Sequence, residues 1–475
     1  APVRFPSHDA QPNLRRLHRR SVASSICCRQ PTELASVLHW VICVQRAWLP
    51  LAWSHNCATS WRDKVWGWVV AHPSWVEGRS MSEANTSSYD VIIAGGGITG
   101  LTLACALKHT GLRIAVIDQR EPQAVGKDYA LRVSAINRAS LEVFNSVGAF
   151  EHMQQLRVSP FREMHVWDSS GVGQIHFDSA ELGLDALGYI IENNVIQLAL
   201  QAVVQQSETI DWLCPAKIES LDISAAQKQV RLTDGSTLTT QLIVGADGSN
   251  SVVRHAMGIE LVRKSYQQQA IVCTVATEYE HQQTAWQCFL PSGPLALLPL
   301  ADGSCSIVWS LDESRVAQMM ALDDAAFAEK LGESFEYRLG SVKTVSARAV
   351  FPLGHGHVDH YVQQGMALIG DAAHNIHPLA GQGANLGIMD AACLAQVIGD
   401  ALQARRQWSA LHTLRKYERS RKGDNRLMET TMTGFKHLFG NDNPWLAEIR
   451  NIGLNVVDHA GPVKQVFINQ ALGKH

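Results

Sequence analysis

Residues 89–118 constrain the fold more than any other part of the chain. They read YDVIIAGGGITGLTLACALKHTGLRIAVID, and the apolar run VIIA is typical of a strand buried in a parallel sheet. Gly95, Gly97 and Gly100 form the pattern G-x-G-x-x-G between this strand and a helix. The first glycine permits a tight turn, the second lets the backbone approach a pyrophosphate, and the third lets helix and strand pack closely. A helix that begins here points its free N–H groups at phosphates.

An acid ends the same unit. Asp118 closes the second strand, at the position where a carboxylate accepts hydrogen bonds from a ribose. Strand, turn, helix and acid together predict a Rossmann-like dinucleotide site, although the glycine pattern alone would also suit a plain tight turn. The unit does not separate FAD from NAD. A carboxylate here argues against a 2′-phosphate, so NADP is the least favoured occupant.

The segment QLIVGADGSNSVVR (241–254) repeats the order of strand, turn and helix start. LIV is the expected strand, the turn covers 245–248, and Ser249 or Ser251 is the expected helix N-cap. Alone, the segment is also compatible with a plain connection in which Asp247 caps the helix.

A third unit covers residues 365–402. Its strand is MALIG, and Asp371 stands at the carboxyl end, where ligands bind in open α/β sheets. The glycine-rich turn that follows offers unhindered N–H groups to a flat anionic group. A helix is expected from about Asn385, with one face in the core, formed by Leu386, Met389, Cys393 and Val397.

Three such units in one chain resemble the flavoprotein aromatic hydroxylases, whose FAD-binding sequence is split along the chain. An NAD dehydrogenase would explain only the first unit. Four segments narrow the resemblance to the ubiquinone-biosynthesis hydroxylase family (UbiH/UbiF/VisC type), and the match covers nearly everything from Tyr89 onward. These segments are LRVSAIN (131–137), GYIIENNVI (188–196), GDAAHNIHPLAGQGANLG (370–387) and YERSRK (417–422).

The resemblance implies a role for each motif. FAD's pyrophosphate belongs at Gly95–Gly100 and its ribose at Asp118, while Arg132 is a flavin contact. The family's DG motif, linked to FAD and NAD(P)H, corresponds to Ala246-Asp247-Gly248, and its GD motif on the ribityl chain to Gly370-Asp371. The wall facing the flavin ring is expected to consist of Pro378, Leu379, Ala380, Gly381, Gln382 and Gly383.

Two histidines in the third unit keep an open role. His374 and His377 are spaced as H-x-x-H, which can indicate a metal site, but no cysteine or carboxylate partner has matching spacing. We therefore expect no metal. With Pro378, the two histidines are candidate catalytic-site residues that position flavin or substrate, and no residue stands out as a general base.

The family implies an FAD-dependent monooxygenase. NAD(P)H or another reductant reduces FAD, O2 forms a C4a-hydroperoxide, and the distal oxygen goes to the ring of a polyprenylated phenol or benzoquinol. WDSSGVGQIHFDSAELG (167–183) and NIGLNVVDHAGPVK (451–464) favour ring carbon 5, with carbon 6 next. The alternatives are a hydroxylase of a soluble aromatic acid and a flavin-dependent reductase that inserts no oxygen.

The expected fold class is α/β: a Rossmann-like FAD-binding domain split along the chain, a mixed or antiparallel β-sheet substrate domain, and a helical C-terminus. Runs such as REMHVWD, QIHFD, AIVCTVAT, PLALLPL and CSIVWSL are typical of strands in the substrate domain. The expected FAD-binding parts are 81–160, 186–261 and 351–409, the substrate parts 161–185 and 262–350, and the C-terminal helices 410–475.

Residues 1–80 differ from the rest of the chain. They hold ten Lys and Arg against four Asp and Glu, and seven of the 13 tryptophans, whereas the remainder holds 31 against 40. We favour an upstream segment absent from the working protein, with Met81 as the start. A transit peptide is the second interpretation, because RRLHRRSVASS is basic and poor in acid, and an extra domain is the third.

Net charge, the distribution of cysteines and hydropathy limit the classes of binding partner and the cellular compartment to be expected. A net charge of −3 predicts no general attraction to nucleic acid. The six cysteines after residue 80 are dispersed, as in buried free thiols of a reducing compartment. LASVLHWVICV (34–44) is too short to span a membrane. We expect cytoplasmic localisation, or the mitochondrial matrix if the leader is a transit peptide, with peripheral membrane contact and other ubiquinone-biosynthesis proteins as partners of the family.

Overall fold

The computed structural model describes residues 86–375 and 383–439. The expectations for residues 1–80, for 376–382 and for the helices beyond 439 lie outside these ranges. The described chain forms 22 strands, which are β1 Thr86–Ser88, β2 Val91–Ala94, β3 Ile114–Ile117, β4 Val133–Asn137, β5 Ser159–Phe161, β6 Glu163–Asp168, β7 Gln174–Asp178, β8 Gly188–Glu192, β9 Ile210–Leu213, β10 Ile218–Asp222, β11 Lys228–Leu232, β12 Thr237–Thr240, β13 Leu242–Gly245, β14 Val262–Thr277, β15 Thr284–Leu290, β16 Gly293–Pro299, β17 Cys305–Asp312, β18 Val342–Val345, β19 Ala349–His357, β20 Val362–Gln363, β21 Met366–Leu368 and β22 His374–Asn375.

Nine α-helices accompany these strands within the described ranges. They are α1 Ile98–Leu107, α2 Arg138–Val147, α3 Ala149–Leu156, α4 Asn193–Gln205, α5 Val252–Ala256, α6 Glu313–Met320, α7 Asp324–Ser334, α8 Gly383–Gln403 and α9 Leu411–Phe439.

A six-stranded sheet in the order β20-β21-β13-β2-β3-β9 carries the nucleotide-type units. All of its neighbouring strands are parallel except β20, which is antiparallel to β21. Every residue of β2, β3 and β13 is buried, which explains their uninterrupted apolar sequences. The strands of the three units come from distant parts of the chain, yet β21, β13 and β2 are direct neighbours.

A second sheet joins β22-β19-β14-β17-β16-β15-β6-β7 in that order, and β18 also pairs with β14. It is antiparallel except for the parallel pair β6 and β15. The five segments predicted to be strands of a substrate domain all lie in this sheet, in β6, β7, β14, β16 and β17. With the parallel sheet and the long C-terminal helix α9, this confirms the predicted fold class.

Helix α8 corrects one expectation. The predicted core face, Leu386, Met389, Cys393 and Val397, is only half-buried. The deeply buried side chains of α8 include Ile388, Ala391, Leu394 and Ile398. The helix contacts α1, α2 and α9, so its apolar surface extends around the axis and is wider than the single stripe on which the prediction relied.

The described cysteines match the expected chemistry. Cys105, Cys273, Cys288 and Cys305 are buried, Cys214 and Cys393 are half-buried, and none of these six forms a disulfide. Among the described residues, no helix combines the length and apolar character required to cross a bilayer.

Candidate active site

The three nucleotide-type turns lie side by side at one edge of the six-stranded sheet. Because β2, β13 and β21 are parallel neighbours, their carboxyl ends share this edge. The turns are also joined directly, since Ala246 N–H donates to Ala94 O at 2.8 Å and Ile369 N–H donates to Gly245 O at 3.0 Å. Segments more than 270 residues apart in sequence thus meet at this edge of the sheet, and the space in front of the three turns is called the cleft below.

The three glycines of the first turn have different surroundings. Gly95 has a φ of +104°, and a Cβ there would lie 2.4 Å from Ala246 O. A Cβ on Gly100 would lie 2.0 Å from Gly95 O, so helix and turn are in backbone contact. At Gly97 a Cβ would meet nothing within 4 Å. Gly97 is also the N-cap of α1 and gives the helix no side-chain cap, which leaves N–H groups for an anion.

Asp118 closes the first unit. Its Oδ2 accepts a hydrogen bond from Gly96 N–H at 2.6 Å, and its Oδ1 accepts one from Arg120 N–H at 3.0 Å. The indole of Trp212 lies against Gly96, where a Cβ would come within 2.3 Å of the ring. The carboxylate therefore fixes the glycine turn and, being half-buried, remains accessible from the cleft.

The two carboxylate oxygens of Asp247 have different surroundings. Its Oδ2 accepts a hydrogen bond from Val252 N–H at 2.7 Å, and Ser251 caps α5 through Arg254 N–H, as one of the two predicted caps. Its Oδ1 is buried and has no hydrogen-bond partner among the described residues. Burial raises the pKa of this carboxyl, against the effect of its hydrogen bonds. The adjacent Gly248 has a φ of +78°, with open space where a side chain would be.

Arg254, which the sequence analysis did not single out, connects the second turn to the third. It is 2% exposed, and its guanidinium donates to Ala372 O at 3.1 Å and to Ser249 O at 2.8 Å. The signal in the sequence was an arginine inside an otherwise apolar helix start. Its Nε–H finds no acceptor within the described ranges.

The third turn carries Asp371. Residues Gly370–Ala372 form a 3-10 turn, and Gly370 has a φ of +57°. The Asp371 side chain is exposed to the cleft, yet loss of hydration among the surrounding groups raises the pKa of its carboxyl, and His374 and Arg132 oppose that rise. The exposed Arg132 guanidinium lies 5.9 Å from the ring centre of Phe351 on β19.

His374 is located behind this turn. It is 4% exposed, stacks on Tyr361 at 5.9 Å between ring centres, and places Nε2 2.5 Å from Asp390 Oδ2. The buried Asp390 also accepts a hydrogen bond from Arg421 Nε at 2.8 Å. Asp390 and Arg421 were not among the residues predicted for the site, although Arg421 belongs to the segment YERSRK. The signal in the sequence that could have identified them was an acid on α8 and an arginine on α9, each on an otherwise apolar helix face.

Asn385 links the start of α8 to β4 and was also missed. Its Nδ2 donates to Ala135 O at 2.8 Å, and its Oδ1 accepts from Asn137 N–H at 3.1 Å. The segment LRVSAIN is therefore attached to the helix that follows the third turn. Gly383 is the first residue of α8 and is exposed. The other expected ring-wall residues and the second histidine lie outside the described ranges; they are His377, Pro378, Leu379, Ala380, Gly381 and Gln382.

The residues of this cleft fit FAD. The space at Gly97 and the uncapped α1 suit a pyrophosphate, and the carboxylates of Asp118 and Asp371 suit sugar hydroxyls. The Oδ1 of Asp247 has no hydrogen-bond partner among the described residues, which leaves it available as an acceptor for a bound cofactor. Within the described part of the chain, no three His, Cys, Asp or Glu side chains are grouped as a metal site.

Comparison with known proteins agrees with this geometry. A family model described as the FAD binding domain matches residues 88–429. The structure of PqsL, a probable FAD-dependent monooxygenase from Pseudomonas aeruginosa, shares the fold with a TM-score of 0.66 at 24% identity, covering 78% of this chain and 99% of PqsL. The p-nitrophenol 4-monooxygenase PnpA from Pseudomonas putida has a TM-score of 0.67 at 17% identity, covering 81% of this chain and 98% of PnpA. Fold, site and family define an FAD-dependent monooxygenase.

Curated relatives narrow the class further. The 3-demethoxyubiquinol 3-hydroxylase of Escherichia coli (strain K12) is 36% identical over 386 residues, which are 81% of this chain and 98% of the relative. The human protein named ubiquinone biosynthesis monooxygenase COQ6, mitochondrial, is 34% identical over 442 residues, covering 82% of this chain and 94% of the relative. The chain belongs to the ubiquinone-biosynthesis hydroxylase family, within the flavoprotein aromatic hydroxylases.

Proposed function

We propose that this protein hydroxylates the aromatic ring of a polyprenylated phenol or benzoquinol in ubiquinone biosynthesis. One observation carries the proposal: the chain matches 98% of the length of a relative named for ubiquinol-ring hydroxylation, at 36% identity. We further propose NAD(P)H as reductant and O2 as co-substrate, since they are the reactants that the flavin chemistry requires.

In this proposal the protein binds and orients FAD, which supplies the redox and oxygen-activating chemistry when bound. Gly97 and the start of α1 hold the pyrophosphate, Asp118 the ribose, and Asp371 the ribityl chain. Asp247 accepts from the cofactor through Oδ1, and Arg132 contacts the flavin. The support for these roles is the open space at Gly97, the exposed Asp371 and the unpartnered Oδ1 of Asp247.

The substrate ring is proposed to bind where the nine-stranded sheet meets the cofactor cleft. Phe351 on β19 is half-buried and lies 5.9 Å from Arg132, and Arg132 is close enough to Asp371 to lower its pKa. Phe351 thus presents an aromatic face beside two expected cofactor contacts. An electron-rich ring can pack against such a face at little polar desolvation cost.

We keep ring carbon 5 as the favoured position and carbon 6 as the next, on the segments quoted above. The name of the E. coli relative specifies position 3 of a demethoxyubiquinol, so the test must include every ring step. A polyprenyl substrate also requires peripheral contact with a membrane. The mitochondrial names of the animal relatives support the matrix as the compartment if residues 1–80 act as a transit peptide.

The decisive experiment expresses the full chain, and separately residues 81–475, in bacterial strains blocked at each ubiquinone ring-hydroxylation step. Rescue of one strain identifies the ring position, and rescue by the shorter chain shows that the leader is dispensable. Rescue of none would overturn the pathway assignment.

Isotope labelling separates the alternatives. Under 18O2, the purified protein with reductant and a short-prenyl phenol should give a product carrying one labelled hydroxyl. An unlabelled product would indicate a reductase, and hydroxylation confined to a soluble aromatic acid would indicate the second alternative.

A further inference from the structure

A buried carboxylate stands behind the third turn of the cleft. Asp390 on α8 is fully buried and accepts four hydrogen bonds, two on each oxygen. Oδ2 accepts from Gly370 N–H at 3.0 Å and from His374 Nε2 at 2.5 Å. Oδ1 accepts from Arg421 Nε at 2.8 Å and from Asn425 Nδ2 at 3.3 Å. A buried carboxylate persists only when its lone pairs are filled in this way.

The charge of this carboxylate is secured by its neighbours. Burial acts to raise the pKa of Asp390, but His374 and Arg421 outweigh it and hold the pKa well below the usual range. Arg421 is itself 4% exposed and also donates to Asp424 at 3.0 Å and to Asn425 at 3.1 Å. The carboxylate is therefore ionised throughout the neutral range and acts as a fixed acceptor.

The two donors on Oδ2 bracket the residue that faces the cleft. Gly370 immediately precedes Asp371, and His374 follows it by three positions. One oxygen of Asp390 thus holds both sides of a turn whose first residue has a left-handed φ of +57°. Any loss of this acceptor would free the turn to change the direction of the Asp371 side chain.

Helix α9 supports the same turn from a second direction. The Tyr417 hydroxyl donates to Leu368 O at 2.8 Å, at the end of the strand that precedes the turn. Tyr361 stacks on His374 and receives a 3.4 Å hydrogen bond from Asn425. The segment YERSRK, until now only a family signature, supplies Tyr417 and Arg421 to this arrangement.

We propose that Asp390 is a positioning residue for the cofactor. His374 donates a hydrogen bond to it from the side of the third turn, and Arg421 donates one from α9. In this role His374 needs an N–H at the Nε2 position and no acid–base chemistry. The proposal rests on FAD binding and on no feature of the substrate, so it stands or falls separately from the pathway assignment.

The test compares two substitutions of one residue. His374→Gln retains an N–H donor of similar reach, whereas His374→Leu removes it. We expect His374→Gln to keep the FAD dissociation constant within about threefold of the wild type, while His374→Leu and Asp390→Asn each weaken it about tenfold or more, as for loss of a hydrogen bond to a charged group. The measurements are titration of the apoprotein with FAD, circular dichroism of the bound flavin, and thermal unfolding with and without FAD.

A buried histidine elsewhere provides the matched control. His281 is 8% exposed, with Nε2 3.0 Å from Leu300 O and Nδ1 accepting from Gln283 N–H at 3.0 Å. His281→Leu should lower the unfolding temperature of the apoprotein and leave FAD affinity and the flavin spectrum unchanged. This separates a loss of stability from a loss of positioning.

Each outcome decides the proposal. If His374→Leu and Asp390→Asn behave like His281→Leu, the network is merely structural and the proposal is wrong. If His374→Gln binds FAD with a native spectrum but fails in a strain that the wild type rescues, His374 is a catalytic group and the proposal is also wrong. Should neither His374→Leu nor Asp390→Asn fold, retained FAD affinity and a native flavin circular dichroism spectrum in His374→Gln support the proposal, and loss of either overturns it.

Discussion

Gly97 and Gly100 belong to one motif but have different spatial requirements. A methyl group at Gly97 would enter empty space, and its φ of −72° is accessible to alanine. At Gly100 the methyl would lie 2.0 Å from Gly95 O. The second position therefore serves the fold, and we propose that the first serves the ligand.

This difference predicts opposite results for two alanine substitutions. Gly97→Ala should change the free energy of unfolding of the apoprotein by less than about 0.5 kcal/mol yet weaken FAD binding by about tenfold or more, because the methyl blocks close approach of the pyrophosphate. Gly100→Ala should destabilise the apoprotein by about 1–3 kcal/mol, as overpacking does. Chemical unfolding of the apoprotein and FAD titration check both. Normal FAD affinity in Gly97→Ala would contradict the assignment.

Phe351 provides the residue-level test of the substrate site. Phe351→Ala should raise the KM for a short-prenyl phenol by about tenfold, the effect of losing aromatic contact area, and leave the FAD dissociation constant unchanged. Phe351→Leu retains apolar area, and its KM should lie between those of the wild type and Phe351→Ala. Steady-state kinetics measure the first effect and apoprotein titration the second. Weaker FAD binding in Phe351→Ala would place the ring in the cofactor site instead.

At this scale the sequence predicted residues whose chemistry is local. Gly95, Asp118 and Asp371 were recognisable because each sits at a fixed distance from a strand or turn. Asp390 and Arg421 were not, since they lie 31 positions apart on different helices and their pairing depends on how those helices pack. Local sequence patterns predict the conformation of the nearby backbone, whereas a buried ion pair depends on tertiary packing.

At the scale of elements, helix α8 packs against both α1 and the third turn. Thr99 of α1 is so close that a Cβ on Gly387 would lie 2.3 Å from its hydroxyl and one on Gly370 2.9 Å from it. The sequence predicted this helix but placed its core on one stripe that is only half-buried, because packing on several sides widens the buried surface beyond the single apolar stripe that periodicity detects. The strands were better predicted, since buried parallel strands are continuous apolar runs. Their order in the sheet was not predictable from any one segment.

Asn385 tests the attachment of α8 to β4. Asn385→Ala leaves Ala135 C=O and Asn137 N–H without their partners at a position 4% exposed. We expect a loss of about 1–3 kcal/mol in the free energy of unfolding, the cost of losing two part-buried hydrogen bonds. Gln396→Ala, which removes an exposed 2.7 Å hydrogen bond to Asp400 on the same helix, is the control and should change stability by less than about 0.5 kcal/mol. Equal effects of the two substitutions would refute the attachment.

On the scale of the whole molecule, two carboxyl groups whose pKa values are shifted in opposite directions should contribute to the pH dependence of stability. The pKa of Asp390 in the folded protein lies well below its ordinary value of 3.8, so the folded state binds fewer protons there than the unfolded state. The stability that the ionised Asp390 contributes is complete at pH values above 3.8 and is lost as the pH falls toward the folded-state pKa. The stability difference between wild type and Asp390→Asn should therefore be largest near neutral pH and shrink below about pH 4. Urea unfolding across pH checks this, and a constant difference would contradict it.

Asp371 should behave in the opposite way. Loss of hydration raises its pKa above 3.8, so the folded apoprotein binds more protons at this site than the unfolded chain, and ionisation at neutral pH works against folding. Asp371→Asn removes that charge, and the apoprotein of this variant should be at least as stable as the wild type at pH 7. The advantage should diminish as the pH falls toward 3.8, where the wild-type carboxyl becomes protonated in both states. FAD affinity should fall in the same variant, because the amide offers one acceptor oxygen where the carboxylate offers two, and its hydrogen bonds to sugar hydroxyls lack the assistance of a charge. Unfolding of the apoprotein at several pH values, together with FAD titration, tests both halves. A variant that is less stable than wild type and binds FAD normally would show that Asp371 serves the fold and not the cofactor.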